Sequence, residues 1–215
     1  EILIGLVGSE MCIRDSTVSV EKNAIEEVAK LVSDSRVVAF PTETVFGLGV
    51  KFGSHQALDA LYELKHRDKG KAISMMISKA EDIEKYAYVD ETAKKLIAAF
   101  MPGMITIILK KRPHIDDYFT ASLDTIGIRI PDDPFVLSLL DKTGPMLVTS
   151  ANLSGENSLV DDKAVMKVFH GKIPLIVKGE SISKKASTIV DLSKGKVEIL
   201  RLGDISKEQI AEVIE

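Results

Sequence analysis

The sequence has little cysteine, no long apolar run and no clustered histidines, and each shortage excludes a class of protein or site. The single cysteine, Cys12, rules out an internal disulfide and a multi-cysteine zinc site, so a reducing, cytoplasmic location is expected. No run of about 18 apolar residues occurs, so no membrane span is predicted. The histidines are far apart and lack HExxH spacing, so no protein metal site is predicted.

A strong excess of positive charge and the common nucleotide-binding motifs are also missing. The formal net charge is −4, so affinity for a nucleotide or a nucleic acid would have to come from a local basic patch. The absence of GxxxxGK[ST] excludes a P-loop. Gly47, Gly49 and Gly53 resemble a dinucleotide fingerprint but have one residue too many between the last two.

Residues 1–16, EILIGLVGSEMCIRDS, show neither a helical nor a strand period and resemble a translated adaptor sequence. We therefore expect this segment to be non-native and a single domain to occupy residues 17–215. The alternative is an additional N-terminal strand. In either case Cys12 is not a candidate nucleophile.

Strand and helix patterns alternate along the rest of the chain. Helices are predicted over 21–33, 54–65, 90–101 and 161–170, with two more beginning at Asp133 and Ser206. Strands are predicted over 36–40, 72–77, 105–109, 125–130, 145–150, 175–177, 188–192 and 197–202. The irregular alternation favours an α/β domain built on a mixed parallel and antiparallel sheet with flanking helices.

The stretch FPTETVFGLG, residues 40–49, combines strand, turn and ligand-binding signals. Pro41 is predicted to end the preceding apolar strand, since proline has no N–H to donate within a sheet. The two threonines offer hydroxyl groups, and Gly47 and Gly49 are interpreted as letting the backbone approach a ligand. The role of the intervening Glu43 does not follow from the sequence.

The basic stretch KHRDKGK carries cations at alternating positions, namely Lys65, Arg67, Lys69 and Lys71. In an extended chain these side chains would point to one side, opposite Asp68. Like charges on one face repel one another unless an anion lies between them, and a triphosphate would suit. The alternative is a solvated charged loop.

The stretch TSANLSGE, residues 149–156, follows a predicted apolar strand and is rich in hydroxyl and amide groups. Loops at the carboxyl ends of strands often contact ligands, which makes Ser150 and Asn152 candidates. The alternative is a turn in which these side chains hydrogen-bond to the backbone.

Two arginines lie between apolar neighbours, Arg129 in GIRIPDDP and Arg201 in ILRLG. A buried arginine needs an anionic partner. For Arg129 the sequence leaves two kinds of partner open: a carboxylate or phosphate of a ligand, or a protein carboxylate such as Asp132 or Asp191.

The ordered set FPTETVFGLG, KHRDKGKAI, FMPGMITIIL, GIRIPDDP, TSANLSGE, STIVDL and ILRLG resembles the YrdC-like family of threonylcarbamoyl-AMP synthases, in its single-domain form. The likeness extends from Val18 to about Ile205. Each motif alone is weak, whereas the set in this order is specific. The resemblance implies a twisted mixed sheet with flanking helices and a concave basic face.

The resemblance also implies an activity. Family members condense L-threonine, bicarbonate or CO₂ and ATP into threonylcarbamoyl-AMP and pyrophosphate. A downstream transferase complex then passes the threonylcarbamoyl group to tRNA. ATP is thus expected as a substrate that carries Mg²⁺, no tightly bound cofactor is expected, and a contact with tRNA is a further expectation.

Each motif receives a role from the resemblance. The implied threonine-binding residues are Thr42, Thr106, Arg129 and Ser187. The implied ATP-binding residues are Lys65, Arg67, Lys71, Ser150, Asn152 and Arg201. Lys65 and Arg67, which form a KxR motif, are the implied catalytic residues.

The chain departs from the family pattern at three places. Phe46 stands where the family usually has tyrosine, Ala72 stands where it usually has proline, and Ser74-Met75-Met76 lacks a histidine found in some members. Two other functions stay open. One is a non-catalytic module that binds tRNA or rRNA through the same basic face. The other is the related domain of a hydrogenase-maturation carbamoyltransferase, whose zinc-finger cysteines are absent here.

Overall fold

The computed structural model describes residues 16–215, and within this range the strands form one ten-stranded sheet. The prediction for the adaptor-like segment therefore lies outside the described residues, apart from Ser16. The strands are β1 Val18–Val20, β2 Val38–Phe40, β3 Gly47–Lys51, β4 Ser74–Met76, β5 Ile105–Lys110, β6 Thr125–Arg129, β7 Met146–Ser150, β8 Leu175–Val177, β9 Thr188–Asp191 and β10 Glu198–Arg201.

The sheet is mixed, which confirms the predicted fold class. Its spatial order is β1-β8-β2-β3-β7-β4-β6-β5-β9-β10. The pairs β1–β8, β2–β8, β4–β6 and β5–β9 are parallel. The remaining neighbours are antiparallel, and they include the hairpins β2–β3 and β9–β10.

Helices flank the sheet on both faces of its core. The helices are α1 Ile25–Ser33, α2 His55–Lys65, α3 Ile83–Tyr86, α4 Glu91–Phe100, α5 Pro134–Thr143, α6 Asp162–Phe169 and α7 Lys207–Ile214. Five of them, α2 and α4 to α7, begin at the predicted capping residues, whereas α1 begins at Ile25 and α3 was not predicted. The Ser54 hydroxyl accepts a hydrogen bond from the amide of Ala57, 3.2 Å away, at the start of α2. Ser206 and Gln209 form a capping box at the start of α7.

The central strands bury both faces. In β7, Met146 and Val148 pack with residues of α1 and α5, whereas the intervening Leu147 packs with residues of α2, α4 and α6. Adjacent residues of a strand point to opposite faces, so each helix layer contacts alternate residues. This two-sided burial explains why β2 and the first three residues of β7 are continuously apolar in sequence.

The structure contains a strand, β3, that the sequence analysis did not predict, because two glycines interrupt its pattern. A Cβ atom at Gly49 would lie 2.7 Å from Phe40 Cε1 and 2.7 Å from Met146 Cε. Glycine at 49 therefore makes room for two core side chains. The interpretation that Gly49 serves a ligand is wrong, since a core contact occupies that space.

Candidate functional site

Residues of β3, β4, β5, β6, β7, β9 and β10, together with the turn between β2 and β3, line a cleft of about 180 Å³. Most of the residues implied by the family resemblance meet there, namely Thr42, Arg67, Thr106, Arg129, Ser150, Ser187 and Arg201. Lys65, Lys71 and Asn152 do not line it. No carboxylate is among the described residues that line the cleft, whereas three arginines are.

Hydrogen bonds within the turn after β2 fix the two threonine hydroxyls. The Thr42 hydroxyl donates to the carbonyl of Val45 at 2.7 Å and accepts from the amide of Thr44 at 3.2 Å. The two threonine hydroxyl oxygens are 3.0 Å apart. The chain therefore forms a rigid polar wall at a point where Pro41 has ended β2.

A buried ion pair joins this turn to the end of β6. Arg129 Nη2 donates to Glu43 Oε1 at 2.6 Å and to the Thr44 hydroxyl at 2.9 Å. Glu43 Oε1 also accepts from the backbone amide of Asp132 at 3.0 Å. The protein partner of Arg129 is thus Glu43, and the suggestion of a carboxylate from Asp132 or Asp191 is wrong.

The sequence contained a signal for this pair that went unused. A buried arginine requires a buried carboxylate, and Glu43 lies between threonines in a segment that is buried throughout. The proposed partners failed for local reasons. Asp132 contributes its backbone N–H to Glu43, and the Asp191 carboxylate accepts from the amide and hydroxyl of Ser193.

Opposite the ion pair, a second polar group joins β5, β9 and β10. The hydroxyl oxygens of Thr106 and Ser187 are 2.9 Å apart. Arg201 Nε donates to the Ser187 carbonyl at 2.9 Å, and Arg201 Nη2 donates to the Ser187 hydroxyl at 3.2 Å. Partial burial and the charge of Arg129 lower the pKa of the Arg201 guanidinium, which still stays protonated at neutral pH.

A bulge decides the direction of Arg201. The pairing of β10 with β9 shifts between Ile199 and Arg201, so that Arg201 lies opposite Ile189. In a regular ladder Leu200 would take that position, and Arg201 would point to the other face. The bulge therefore places Arg201 beside Ile189 in the cleft lining.

Lys65, at the last turn of α2, is buried rather than exposed to the cleft. Its Nζ donates to the carbonyl oxygens of Ser150 and Asn152 at 2.5 and 2.6 Å, and it lies 3.3 Å from Asn152 Oδ1. Burial and the nearby charge of Arg67 lower the pKa of Lys65 to about 8. In this structure Lys65 fastens the loop after β7.

The Asn152 side chain is also satisfied internally. Its Nδ2 donates to the carbonyls of Leu153 and Glu156 at 2.7 and 2.9 Å, and its Oδ1 accepts from the Ser150 hydroxyl at 2.6 Å. Ser150 nevertheless lines the cleft. Asn152 thus stabilises a turn, and the ligand contact of Ser150 stays a prediction.

The prediction that four cations of KHRDKGK share one face is wrong. The segment turns after α2 instead of extending, because the amides of Gly70 and Lys71 bond back to Asp68. Lys69 forms an ion pair with Asp59 on α2. Arg67 reaches the cleft, where its Nε and Nη2 donate to the carbonyls of Lys71 and Ala72.

The three departures from the family pattern all border the cleft. Phe46 is fully buried, and its ring lies in the larger apolar core. Ala72 and Met76 line the cleft near Arg67, with Ser74 between them. Within residues 16–215, no group of three or more His, Cys, Asp or Glu could hold a metal ion. No helix in that range is long and apolar enough to cross a membrane.

The chain belongs to the Sua5/YciO/YrdC family, since a family model with the description "Telomere recombination" matches residues 30–203. This match confirms the family resemblance drawn from the ordered motifs. It covers the strands and loops that build the cleft, from β2 to the residues after β10.

Two named relatives and one solved structure are similar to this chain over most of its length. A putative threonylcarbamoyl-AMP synthase of Methanocaldococcus jannaschii is 37% identical over 194 residues, which is 88% of this chain and 90% of the relative. The threonylcarbamoyl-AMP synthase of Bacillus subtilis is also 37% identical, over 88% of this chain but 56% of its own length. The crystal structure of Pyrococcus abyssi Sua5 complexed with L-threonine is 32% identical, with a TM-score of 0.88, over 92% of this chain and 61% of that chain.

Proposed function

We propose that this protein is an L-threonylcarbamoyladenylate synthase, which condenses L-threonine, bicarbonate or CO₂ and ATP into threonylcarbamoyl-AMP and pyrophosphate. The carrying observation is that one cleft collects three arginines and several hydroxyl groups without a carboxylate in its lining. The names of the Methanocaldococcus and Bacillus relatives and the threonine complex of Pyrococcus Sua5 support the same activity.

The amino acid would bind at the end of the cleft formed by Thr42, Thr106, Arg129 and Ser187. Both protein contacts of Arg129 fall on Nη2, and among residues 16–215 no protein acceptor contacts Nη1. Nη1 is therefore available to donate to the α-carboxylate of threonine. The threonine side chain and amine would face the hydroxyls of Thr106 and Ser187.

The nucleotide would bind toward Arg67, Ser150 and Arg201. Within residues 16–215, Arg67 and Arg201 contact only neutral oxygens, so their charges are available to phosphate groups. Lys65 and Asn152 would act by holding the Ser150 loop in position, which refines the direct ATP contacts expected of them. The exposed Lys71 would add charge at the cleft's rim.

The chemistry requires positioning and charge neutralisation rather than a protein nucleophile. The threonine amine attacks CO₂, or bicarbonate with loss of water, and gives an N-carboxylate. An oxygen of that carboxylate attacks the α-phosphorus of ATP, and the bond to pyrophosphate breaks. Arginines next to the phosphates would stabilise the charge that develops there. Holding the three reactants in line within one cleft would lower the entropic cost of bringing them together. Mg²⁺ would enter with ATP and neutralise part of its charge.

The proposed product would serve as an acyl donor in tRNA modification. Threonylcarbamoyl-AMP is a mixed anhydride, so its acyl group is activated for transfer to a nucleophile. A tRNA threonylcarbamoyl-transferase complex in the cytoplasm would be the acceptor system, and the protein itself would contact tRNA only transiently.

A pyrophosphate-release assay with each substrate omitted in turn tests the proposal. Release should require threonine, bicarbonate and ATP together, and serine should replace threonine poorly. Pyrophosphate release without threonine would indicate simple ATP hydrolysis. Steeply salt-dependent binding to tRNA, with no release under any condition, would instead support the RNA-binding module.

A further inference from the structure

The ion pair between Glu43 and Arg129 is buried beneath the cleft. Glu43 and Arg129 are 3% and 5% exposed. Arg129 reaches the cleft lining, but Glu43 does not. Glu43 Oε2 is buried and has no hydrogen-bond partner among the described residues, so a substrate has no path to it. Glu43 therefore acts on a ligand through Arg129, as a charge and a positioning group.

The other cleft arginines lack such a carboxylate. Arg67 donates to backbone carbonyls, and Arg201 donates to the carbonyl and hydroxyl of Ser187. Neither forms an ion pair within residues 16–215, whereas Arg129 does. Three arginines thus line one cleft, and only one of them has its charge cancelled by the protein.

We propose that Glu43 determines specificity by neutralising Arg129, which reserves the amino-acid end of the cleft for a zwitterion and keeps phosphate-like dianions at Arg67 and Arg201. The inference rests on the proposed function and extends it to the separation of two substrates. It predicts that removing the charge of Glu43 lets sulfate compete with threonine, which the loss of a merely structural ion pair would not cause.

Electrostatics supports this separation of the zwitterion from phosphate-like dianions. A zwitterionic amino acid has no net charge, so the negative charge of Glu43 costs it little, and its carboxylate still receives the directed N–H of Arg129 Nη1. A dianion is repelled by the Glu43 carboxylate directly behind the guanidinium, which cancels part of the attraction that Arg129 alone would exert. Without Glu43, Arg129 would become a third uncompensated cation close to Arg201, and the two would attract a dianion together.

Competition between threonine and sulfate tests the proposal. Threonine would be titrated by calorimetry into the full chain at several sodium sulfate concentrations, with sodium chloride holding ionic strength constant. The wild-type dissociation constant for threonine should change less than about twofold, since sulfate binds elsewhere in the cleft. In Glu43→Gln, sulfate should raise the apparent constant at least about tenfold in a competitive manner.

Two further variants separate charge from geometry. Glu43→Asp keeps the negative charge but is shorter, so threonine binding should weaken while sulfate stays ineffective. Glu91→Gln is the matched control, because Glu91 belongs to an exposed ion pair with Lys94 on α4, 2.8 Å apart, and neither residue lines the cleft. It should behave like the wild type.

Competitive displacement of threonine by sulfate in the wild-type protein would overturn the proposal, even if Glu43→Gln fails to fold. A folded Glu43→Gln without sulfate competition would also overturn it and leave Glu43 a purely structural role. Absence of threonine binding by the wild type, with folding intact, would instead overturn the proposed function from which this inference starts.

Discussion

The two ends of the cleft hold their cations in different ways. Arg129 lies 2.6 Å from a buried carboxylate, whereas in the described part of the chain Arg67, Arg201 and Lys65 donate only to carbonyl, hydroxyl or amide oxygens. Neutral oxygens fix the direction of a cation and leave its charge for a ligand. A carboxylate fixes the direction and also cancels the charge. The positive charge of this cleft therefore depends on the partners of its basic residues, and counting basic residues in a motif does not measure it.

The largest effect is expected from removing the paired cation. Arg129→Leu leaves Glu43 buried without its partner, which should lower the free energy of unfolding by about 3 to 5 kcal/mol. It also removes Nη1, so threonine binding should be lost while ATP binding largely remains. Chemical unfolding and separate titrations with threonine and ATP measure both effects.

Arg112→Leu provides the control for this change. Arg112 lies outside the cleft lining and its guanidinium stacks 4.2 Å from the Tyr88 ring centroid. Threonine binding should survive there. If Arg129→Leu unfolds more easily yet binds threonine normally, Arg129 serves stability alone. The threonine end of the cleft would then not depend on this cation.

A smaller effect is expected from removing an uncompensated cation. Arg67→Ala should weaken ATP binding by about 1.5 to 3 kcal/mol, because a charge-assisted contact with phosphate is lost. Threonine affinity and the melting temperature should change little, since the side chain is only half-buried. Calorimetric titration with ATP measures the change.

The neighbouring Lys69 gives a matched comparison. Its charge is already neutralised by Asp59 on α2, so Lys69→Ala should leave ATP affinity nearly unchanged. Equal losses in Arg67→Ala and Lys69→Ala would show that ATP responds to the general charge of the segment and not to the cation in the cleft.

The smallest effect concerns the pH dependence of stability. Lys65 has a pKa of about 8 in the folded protein, below the 10.5 that applies to an unperturbed lysine. Between these values the unfolded chain keeps a proton that the folded protein has released, so stability rises with pH. From pH 7.5 to 9.5, wild type should gain about 1 to 2 kcal/mol relative to Lys65→Met.

Urea unfolding of both proteins at the two pH values measures this difference. Lys69→Met serves as the reference for an exposed, carboxylate-paired lysine, and the wild type should show no such gain in stability relative to it. A wild-type stability that does not rise relative to Lys65→Met would mean that the hydrogen bonds to Ser150 and Asn152 keep Lys65 charged throughout.

Local sequence patterns were enough to predict the features of this protein that depend on neighbours in the chain. Helix starts at Ser54, Asp133 and Ser206 were predicted correctly, because a cap bonds to an amide two or three residues further on. The mixed sheet was also predicted correctly, because strand and helix patterns alternate irregularly along the chain. The ordered motifs were enough to identify the family.

Contacts between residues distant in sequence set which charges remain available in the cleft. Glu43 and Arg129 are 86 residues apart in sequence, and Lys65 reaches the backbone of Asn152 across 87 residues. The β3 strand was not predicted for the same reason. Glycine is needed at position 49 because Phe40 and Met146 occupy the space of a side chain there. Local patterns carry no information about partners at such separations, because those partners meet only when the sheet closes around both faces of its core.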